Sequence, residues 1–96
     1  MSATKKIINW NAEKNRELIE KRNISFEDIL FWLRHGGLVD DIVHPNKDKY
    51  GHQRIFVLEI DEYIYLVPYV ESENEIFLKT IIPSRKATKK YLGGKK

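Results

Sequence analysis

The stretch 52-HQRIFVLEIDEYIYLVPYV-70 contains two apolar and aromatic runs that are separated by Asp61-Glu62. Such runs are typical of β-strands, and two polar residues between them suit a tight hairpin turn. We therefore predict an antiparallel hairpin with strands at 52–60 and 63–70. A two-residue turn places Arg54 opposite Tyr69, so both side chains share one face of the sheet.

A core-facing helix is predicted before the hairpin. Ser25 suits its N-cap, because Asp28 follows three residues later as in a capping box, and His35-Gly36-Gly37 suits its C-terminal end. Apolar residues recur between these ends at the spacing of one helix face: Phe26, Ile29, Leu30 and Leu33. The pattern predicts a helix that packs against the sheet.

The rest of the chain completes an α+β arrangement. We predict a short first strand at 6–10, a surface helix from Asn11 to Arg22, a strand at 38–44, a polar loop at 45–51, a further strand at 75–82 and a helix from Ser84 to Leu92. The fold class is therefore a short N-terminal strand and two helices, then a mainly antiparallel three- to four-stranded meander sheet and a short C-terminal helix.

Length and composition predict one small domain. The 96 residues, of which 42% are hydrophobic, can form one core, which we assign to residues 1–92, with 93–96 as a disordered basic tail. The absence of cysteine excludes disulfides, thiolate metal sites and cysteine nucleophiles. The sequence shows no secretory signal and no apolar run of membrane-spanning length, so we predict a cytoplasmic protein without membrane contact.

Charge is segregated along the chain. Residues 79–96 hold seven Lys or Arg and no acid, whereas residues 1–78 hold ten basic and 14 acidic residues, so the net charge of +3 combines −4 with +7. This segregation predicts an anionic partner, with nucleic acid as the first candidate. Lys86, Lys89 and Lys90 on the last predicted helix are candidate RNA-binding residues. The alternative is that they form an ordinary solvated helix face.

Arg54 and Tyr69 form the first candidate site, because an arginine among aromatic residues on a sheet face can stack on bases and bind phosphate. The alternative is a core face whose rim carries one arginine and tyrosine hydroxyls in water. His52 begins the same strand as Arg54 and is a candidate acid. The residues themselves leave both interpretations open.

Two further cations are candidates on other segments. Arg85 begins the final helix, where backbone N–H groups and a guanidinium can together bind phosphate. The face that carries Lys79 depends on the preceding turn. A four-residue turn at 71–74 puts Lys79 opposite Leu66 and away from Tyr69, whereas one extra residue brings it to the face of Tyr69.

The sequence predicts no metal and no cofactor. The three histidines, His35, His44 and His52, match no metal-ligand spacing. There is also no glycine-rich phosphate loop and no serine nucleophile motif. An enzyme built on this chain would therefore work with basic groups, tyrosines and histidine.

Four segments, in order along the chain, resemble the motifs of one family. Residues 10–15, Trp-Asn-Ala-Glu-Lys-Asn, match a Trp-Asp-x-x-Lys opening with Asn in place of Asp, and 24–28, Ile-Ser-Phe-Glu-Asp, match Ile-Ser/Asp-Phe-Glu-Glu/Asp. Residues 66–70, Leu-Val-Pro-Tyr-Val, resemble a Val-Val-Tyr-Thr strand, and 81–87, Ile-Ile-Pro-Ser-Arg-Lys-Ala, resemble Ile-Ile-Ser-Ala-Arg-x-Ala. Over residues 8–91 the chain resembles the BrnT family of bacterial type II toxins, relatives of the RelE-like ribonucleases.

The resemblance implies a RelE-like α+β fold and a ribonuclease that cleaves RNA, including ribosome-bound mRNA, and so inhibits translation. It also implies a cognate ribbon–helix–helix antitoxin, through which operator DNA is bound. Arg54 falls where the family has an arginine that opens the central strand. Arg54 and Arg85 are the first site residues that the resemblance implies, and Tyr69 and Lys79 are the second.

Some positions depart from the family's pattern. Lys79 and Thr80 stand where the family has an arginine just before the Ile-Ile pair, and Pro68 and Pro83 are also unlike it. These differences bear on activity more than on fold. The absence of a clear general base and the basic tail motivate a second hypothesis, a non-catalytic module that binds RNA or protein, such as a degenerate toxin that retains only antitoxin binding.

For the enzyme hypothesis, the ribose 2′-hydroxyl attacks the adjacent phosphate and leaves a cyclic phosphate and a 5′-hydroxyl. This reaction needs proton transfer and stabilisation of charge on phosphate oxygens, and neither requires a metal. Arg54 and Arg85 would hold that charge. Lys79 would act as the base, Tyr69 would orient or stack a nucleobase, and His52 would act as the acid.

Overall fold

A computed structural model describes residues 6–93 of the chain. The elements in chain order are β1 (Ile7–Trp10), α1 (Ala12–Arg22), α2 (Phe26–Arg34), β2 (Leu38–Val43), α3 (Lys47–Tyr50), β3 (Gln53–Ile60), β4 (Tyr63–Glu71), β5 (Glu75–Leu78), β6 (Ile82–Pro83) and α4 (Arg85–Leu92). The predicted α+β class is confirmed. Apart from Gly93, the predicted basic tail lies outside the described residues. No helix in the described part of the chain is long and apolar enough to span a membrane.

The strands form one mixed sheet in the order β1-β5-β4-β3-β2, and β6 also pairs with β4. β2, β3, β4 and β5 form an antiparallel meander, as the sequence predicted. β1 lies parallel to β5 at the far edge, where Ile8 is opposite Ile76 and Trp10 is opposite Leu78. The N-terminal strand therefore extends the meander by one strand.

The β3–β4 hairpin has the predicted register. Arg54 pairs with Tyr69, and Ile60 pairs with Tyr63 next to the turn. Both turn residues lie in the left-handed region, with φ of 54° at Asp61 and 64° at Glu62. Positive φ at both central residues matches the right-handed twist of hairpin strands, so the turn holds this register at a conformational cost to residues that carry a Cβ.

The sheet separates two hydrophobic layers. On one side, which we call the α1–α2 face, the largest buried side chains come from α2, from the sheet and from the segment before β6: Phe26, Ile29, Leu58, Val67, Leu78 and Ile81. On the other side, the α4 face, Ile55, Val57 and Ile64 pack with the α4 residues Ala87, Tyr91 and Leu92. Alternation along β3 and β4 sends successive side chains to opposite layers.

One buried polar side chain joins α1 to α2. Asn15 Oδ1 accepts a hydrogen bond from the Phe26 backbone N–H at 2.7 Å, and Asn15 Nδ2 donates to Glu27 Oε1 at 2.8 Å. The hydrogen bond from Asn15 lowers the pKa of Glu27. Asn15 therefore satisfies a backbone donor at the start of α2 and fixes the angle between the two helices.

The predicted helix starts are confirmed, but one short helix was missed. Asn11, Ser25 and Ser84 each accept a backbone hydrogen bond as N-caps. The prediction of a polar loop at 45–51 is wrong in part, because this segment contains α3, which Asn46 caps by accepting from the Lys49 N–H at 3.2 Å. No residue of α3 is buried, so the helix has no apolar periodicity for the sequence to show.

The prediction of one continuous strand at 75–82 is also wrong. β5 ends at Leu78 and β6 resumes at Ile82, four positions later, but their partners on β4 are only three positions apart. The extra residue acts as a bulge, and it allows Leu78 and Ile81, three positions apart, to be buried together in the α1–α2 layer. The core therefore interrupts the strand, and it leaves Ile82 40% exposed.

Replacing Glu62 with glycine should stabilise the protein. Glycine adopts positive φ without the steric cost of a Cβ, so we expect Glu62→Gly to raise the free energy of unfolding by about 1 kcal/mol. Urea denaturation measures this change. The control is Glu62→Ala, which removes the same charge and keeps the Cβ. If the alanine variant is as stable as the glycine variant, the turn does not hold the strain that we assign to it.

Candidate functional site

Arg54 in β3 and Tyr69 in β4 are joined by a third residue, Asp41 in β2. The Tyr69 hydroxyl donates to Asp41 Oδ1 at 2.8 Å and lies 2.9 Å from Oδ2. Arg54 Nε donates to Asp41 Oδ1 at 3.2 Å, and Arg54 Nη2 donates to the Asp41 backbone oxygen at 3.0 Å. Three adjacent strands thus contribute one hydrogen-bonded group, which we call the Asp41 cluster (Asp41, Arg54 and Tyr69).

Tyr69 is the buried member of the Asp41 cluster. It is 2% exposed, and its ring stacks on Phe56 with the centroids 3.9 Å apart. Burial, together with the hydrogen bond to Asp41, raises the pKa of Tyr69 to about 12. Tyr69 is therefore a neutral hydrogen-bond donor at physiological pH. Its ring is not accessible to a nucleobase, so the predicted stacking role of Tyr69 is wrong.

Arg54 keeps part of its guanidinium free. An arginine has five N–H groups, and the two that are bonded to Asp41 leave three without a hydrogen bond to any of residues 6–93. The Arg54 side chain is 42% exposed. The adjacent Tyr69 hydroxyl and Asp41 carboxylate raise the pKa of Arg54, so its charge is secure. An anion can therefore bind the free N–H groups without displacing Asp41.

An open cleft of about 450 Å³ lies beside Arg54. His52, which is exposed, lines this Arg54 cleft together with Lys6, Glu71 and Ser72. Lys6 Nζ donates to Glu71 Oε2 at 2.7 Å and to the Ser72 backbone oxygen at 2.8 Å. The structure therefore brings the predicted site residues His52 and Arg54 together and adds a lysine–glutamate pair that the sequence reasoning did not include.

Arg85 lies on a different part of the molecule. It begins α4, which packs on the α4 face, and the Ser84 N–H before it donates to the Ile64 backbone oxygen at 3.0 Å. Ile64 and Tyr69 are five positions apart on β4, a separation of about 17 Å along the strand. Arg54, the partner of Tyr69, belongs to the opposite face of the sheet. The structure does not bring Arg54 and Arg85 into one site.

Lys79 also lies away from the Arg54 cleft. Its backbone N–H donates to the Pro68 oxygen at 2.8 Å, so Lys79 is opposite Pro68 instead of Leu66. The register differs by two positions from the one that a four-residue turn gives, and a shift of two leaves the face unchanged. Lys79 is exposed, and its Nζ lies 5.5 Å from the centroid of the Phe77 ring. It is not placed to act as a base beside Arg54.

Lys86, Lys89 and Lys90 are exposed along α4, as the charge pattern predicted. The opposite side of the helix packs on the sheet. The Tyr91 hydroxyl at the end of α4 donates to Asp40 Oδ2 at 2.9 Å, and this hydrogen bond lowers the pKa of Asp40. α4 is therefore an amphipathic helix that presents a cationic surface on the side of the sheet away from Arg54.

Asp41 is a further residue that sequence reasoning missed. The strand at 38–44 was predicted, but its register against β3 was not, because the connecting segment contains α3 and has no fixed turn length. The register is also shifted between Leu38 and Asp40. The sequence did contain one signal, the pair Asp40-Asp41 inside an apolar strand. Because adjacent strand residues point to opposite faces, one of these two carboxylates had to lie on the same face as Arg54 and Tyr69.

Within residues 6–93, no group of three or more His, Asp or Glu side chains could hold a metal ion. Comparisons of the chain with protein-family models, with curated proteins and with solved structures gave no match. The resemblance to the BrnT family therefore stays a prediction from the sequence. The functional conclusion depends on the chemistry of the Arg54 cleft and on the charge of α4.

Removing the Tyr69 hydroxyl should make stability less sensitive to alkaline pH. The folded-state pKa of about 12 exceeds the ordinary tyrosine value, so the contribution of Tyr69 is complete below about pH 10 and is lost as pH rises toward 12. We expect Tyr69→Phe to be less stable than the parent chain at pH 7, with a difference about 1 kcal/mol smaller at pH 11.

Urea denaturation at the two pH values measures this difference. Tyr63→Phe, in the same strand, is the control for loss of a tyrosine hydroxyl. A stability difference between Tyr69→Phe and the parent chain that stays constant or grows from pH 7 to pH 11 would contradict the raised pKa.

Proposed function

We propose that the chain is the toxin of a type II toxin–antitoxin system, a ribonuclease that cleaves RNA in the cytoplasm and inhibits translation until a ribbon–helix–helix antitoxin neutralises it. The observation that carries the proposal is the cleft in which a partly exposed Arg54, held by Asp41, lies beside His52. The positive charge of residues 79–96 and the resemblance to the BrnT family support RNA as the substrate.

Cleavage in the Arg54 cleft would be a phosphoryl transfer within the RNA. The ribose 2′-oxygen bonds to the adjacent phosphorus, the bond from phosphorus to the 5′-oxygen of the next nucleotide breaks, and a cyclic phosphate and a 5′-hydroxyl result. An imidazole can transfer protons near neutral pH, and we assign His52 to protonate the leaving 5′-oxygen. Glu71, in the same cleft, replaces Lys79 as the candidate acceptor of the 2′-hydroxyl proton.

Arg54 would stabilise the charge that develops on the phosphate oxygens. Its free N–H groups can bind two oxygens at once, which is the geometry in which an arginine binds phosphate most strongly. Because Asp41 already holds the guanidinium in place, little reorganisation is needed when the charge develops. This pre-organisation makes Arg54, and not Arg85, the main electrostatic group of the proposed site.

Arg85, Lys86, Lys89 and Lys90 would bind RNA away from the point of cleavage. They lie on α4, on the opposite face of the sheet from Arg54, so one short RNA segment does not contact both regions. Phosphate contacts of this kind add affinity without sequence preference. We therefore assign the cationic surface of α4 to electrostatic attraction of the substrate.

A second candidate function is binding of RNA or protein without cleavage. The observation that favours it is the ion pair between Arg54 and Asp41, which neutralises the arginine in the cleft, whereas the α4 cations lie exposed on the other side. RNA that is bound and stays intact, even with ribosomes present, would support this function in place of the first.

Substitution of Arg54 should abolish most of the activity. Loss of one such charge-stabilising group typically lowers the rate about 10²- to 10³-fold, so we expect this decrease for Arg54→Ala and a clear decrease for His52→Ala. Cleavage of RNA by the purified variants, and growth arrest on their expression, measure the effect.

Arg34→Ala is the matched control, because it removes the same charge from the exposed end of α2. The assignment of the site to the cleft is wrong if Arg54→Ala cleaves RNA as fast as the parent chain while Arg85→Ala does not.

Substitution of the α4 lysines should weaken RNA binding without abolishing cleavage. Each phosphate contact to single-stranded RNA contributes about 0.7 to the slope of log K against log salt, so we expect a triple Lys86→Gln, Lys89→Gln, Lys90→Gln variant to lower that slope by about 2. Titration of a labelled single-stranded RNA at several salt concentrations measures it. An unchanged slope would mean that α4 does not contact the RNA.

A further inference from the structure

We propose that Asp41 is a positioning residue of the Arg54 site, which determines the edge of the guanidinium that faces the RNA phosphate. The inference rests on the proposed function, because Asp41 is given its role in RNA cleavage through Arg54. It assigns a role to a residue on β2, a strand that the sequence motifs and the predicted site left out.

The geometry of the arginine carries the first step. A guanidinium has two edges that can each bind a pair of oxygens, one formed by Nε and Nη2 and the other by Nη1 and Nη2. Asp41 occupies the first edge with both of its acceptors, Oδ1 on Nε at 3.2 Å and the backbone oxygen on Nη2 at 3.0 Å. The second edge is therefore the one that remains for a phosphate.

The burial of Tyr69 carries the second step. The Asp41 side chain is 38% exposed and would rotate freely without a partner. The Tyr69 hydroxyl contacts both of its carboxylate oxygens, at 2.8 and 2.9 Å. Tyr69 itself is 2% exposed and stacked on Phe56, so its hydroxyl is fixed by the core. Core packing thus fixes the position of the Tyr69 hydroxyl, the hydroxyl orients the Asp41 carboxylate, and the carboxylate orients the Arg54 guanidinium.

Asp40 gives a matched comparison one residue away. It carries the same charge on the same strand, and its Oδ2 also accepts from a tyrosine, Tyr91, at 2.9 Å. Because adjacent strand residues face opposite sides, Asp40 belongs to the α4 face, where it contacts no part of Arg54. Asp40 Oδ1 also accepts the Asp41 backbone N–H at 2.8 Å. Arg54, however, donates to Asp41 and not to Asp40, so the orientation of the guanidinium depends on Asp41.

Steady-state cleavage of a short single-stranded RNA tests the role. We expect Asp41→Ala to lower kcat roughly 10- to 100-fold, as a misplaced catalytic group does, without raising KM, since the substitution removes a negative charge beside the cleft. Asp41→Asn removes the same charge but keeps an oxygen for Arg54 and Tyr69, so it should restore part of kcat. Asp40→Ala should stay within about twofold of the parent kcat.

A double-mutant cycle separates positioning from general destabilisation. If Tyr69 acts through Asp41, Tyr69→Phe lowers kcat by itself, and the Tyr69→Phe/Asp41→Ala double variant is no slower than Asp41→Ala. Circular dichroism and urea denaturation identify the conditions in which all variants are folded, and the rates are compared there. The proposal is overturned if Asp41→Asn is as slow as Asp41→Ala, if Asp40→Ala is equally slow, or if the effects on kcat are additive.

Hydrogen exchange of the Arg54 Nε–H gives a readout that does not depend on activity. The ¹H–¹⁵N resonance is assigned by its loss in Arg54→Lys, and we expect its exchange with water to become at least tenfold faster in Asp41→Ala but not in Asp40→Ala. If the parent chain leaves RNA intact while this difference is observed, the proposed function fails and the positioning of Arg54 stands. If Asp41→Ala leaves the exchange unchanged, the positioning proposal fails.

Discussion

Eight residue pairs hold β3 against β4, from Gln53 opposite Val70 to Ile60 opposite Tyr63. Because side chains alternate along each strand, this one register sends Leu58 and Val67 to the α1–α2 face and their neighbours to the α4 face. A slip of one residue would move the side chains of the slipped strand to the opposite layer, and it would also remove Tyr69 from its place beside Arg54. The same hydrogen-bond ladder therefore determines the core and the candidate site.

The parts of the structure that depend on local signals were predictable from the sequence. A two-residue turn fixes the hairpin register by counting, so the pairing of Arg54 with Tyr69 follows from the amino-acid order alone. Helix caps are equally local. The break in the strand between Leu78 and Ile81 is not local, because it depends on which space in the core must be filled. The position of Asp41 is not local either, because the segment that connects β2 to β3 contains α3. Neither the break nor the position of Asp41 is determined by residues that are close in the sequence.

Arg85 shows why proximity in a motif does not give proximity in space. Its helix follows a strand directly, and the sequence does not state which face of the sheet that helix covers. In the structure α4 covers the face that carries Ile55, Val57 and Ile64, because Ala87, Tyr91 and Leu92 pack against these three residues. Burial of apolar surface therefore determines where α4 lies, and the cations on its other side are carried away from Arg54.

Stability accounts for the hydrogen bond between the buried Tyr69 hydroxyl and Asp41, but neither stability nor edge protection accounts for the ion pair between Asp41 and Arg54. Ion pairs as exposed as Arg54–Asp41, at 42% and 38%, typically contribute between about 0 and 1 kcal/mol. A carboxylate on an edge strand does discourage pairing with another chain, but Asp40 provides that charge on β2 without an arginine. What Asp41 provides and Asp40 does not is an acceptor for a guanidinium at the cleft, held by a buried tyrosine. The fixed orientation that we propose for Arg54 gives the ion pair between Arg54 and Asp41 a role that neither stability nor edge protection gives it.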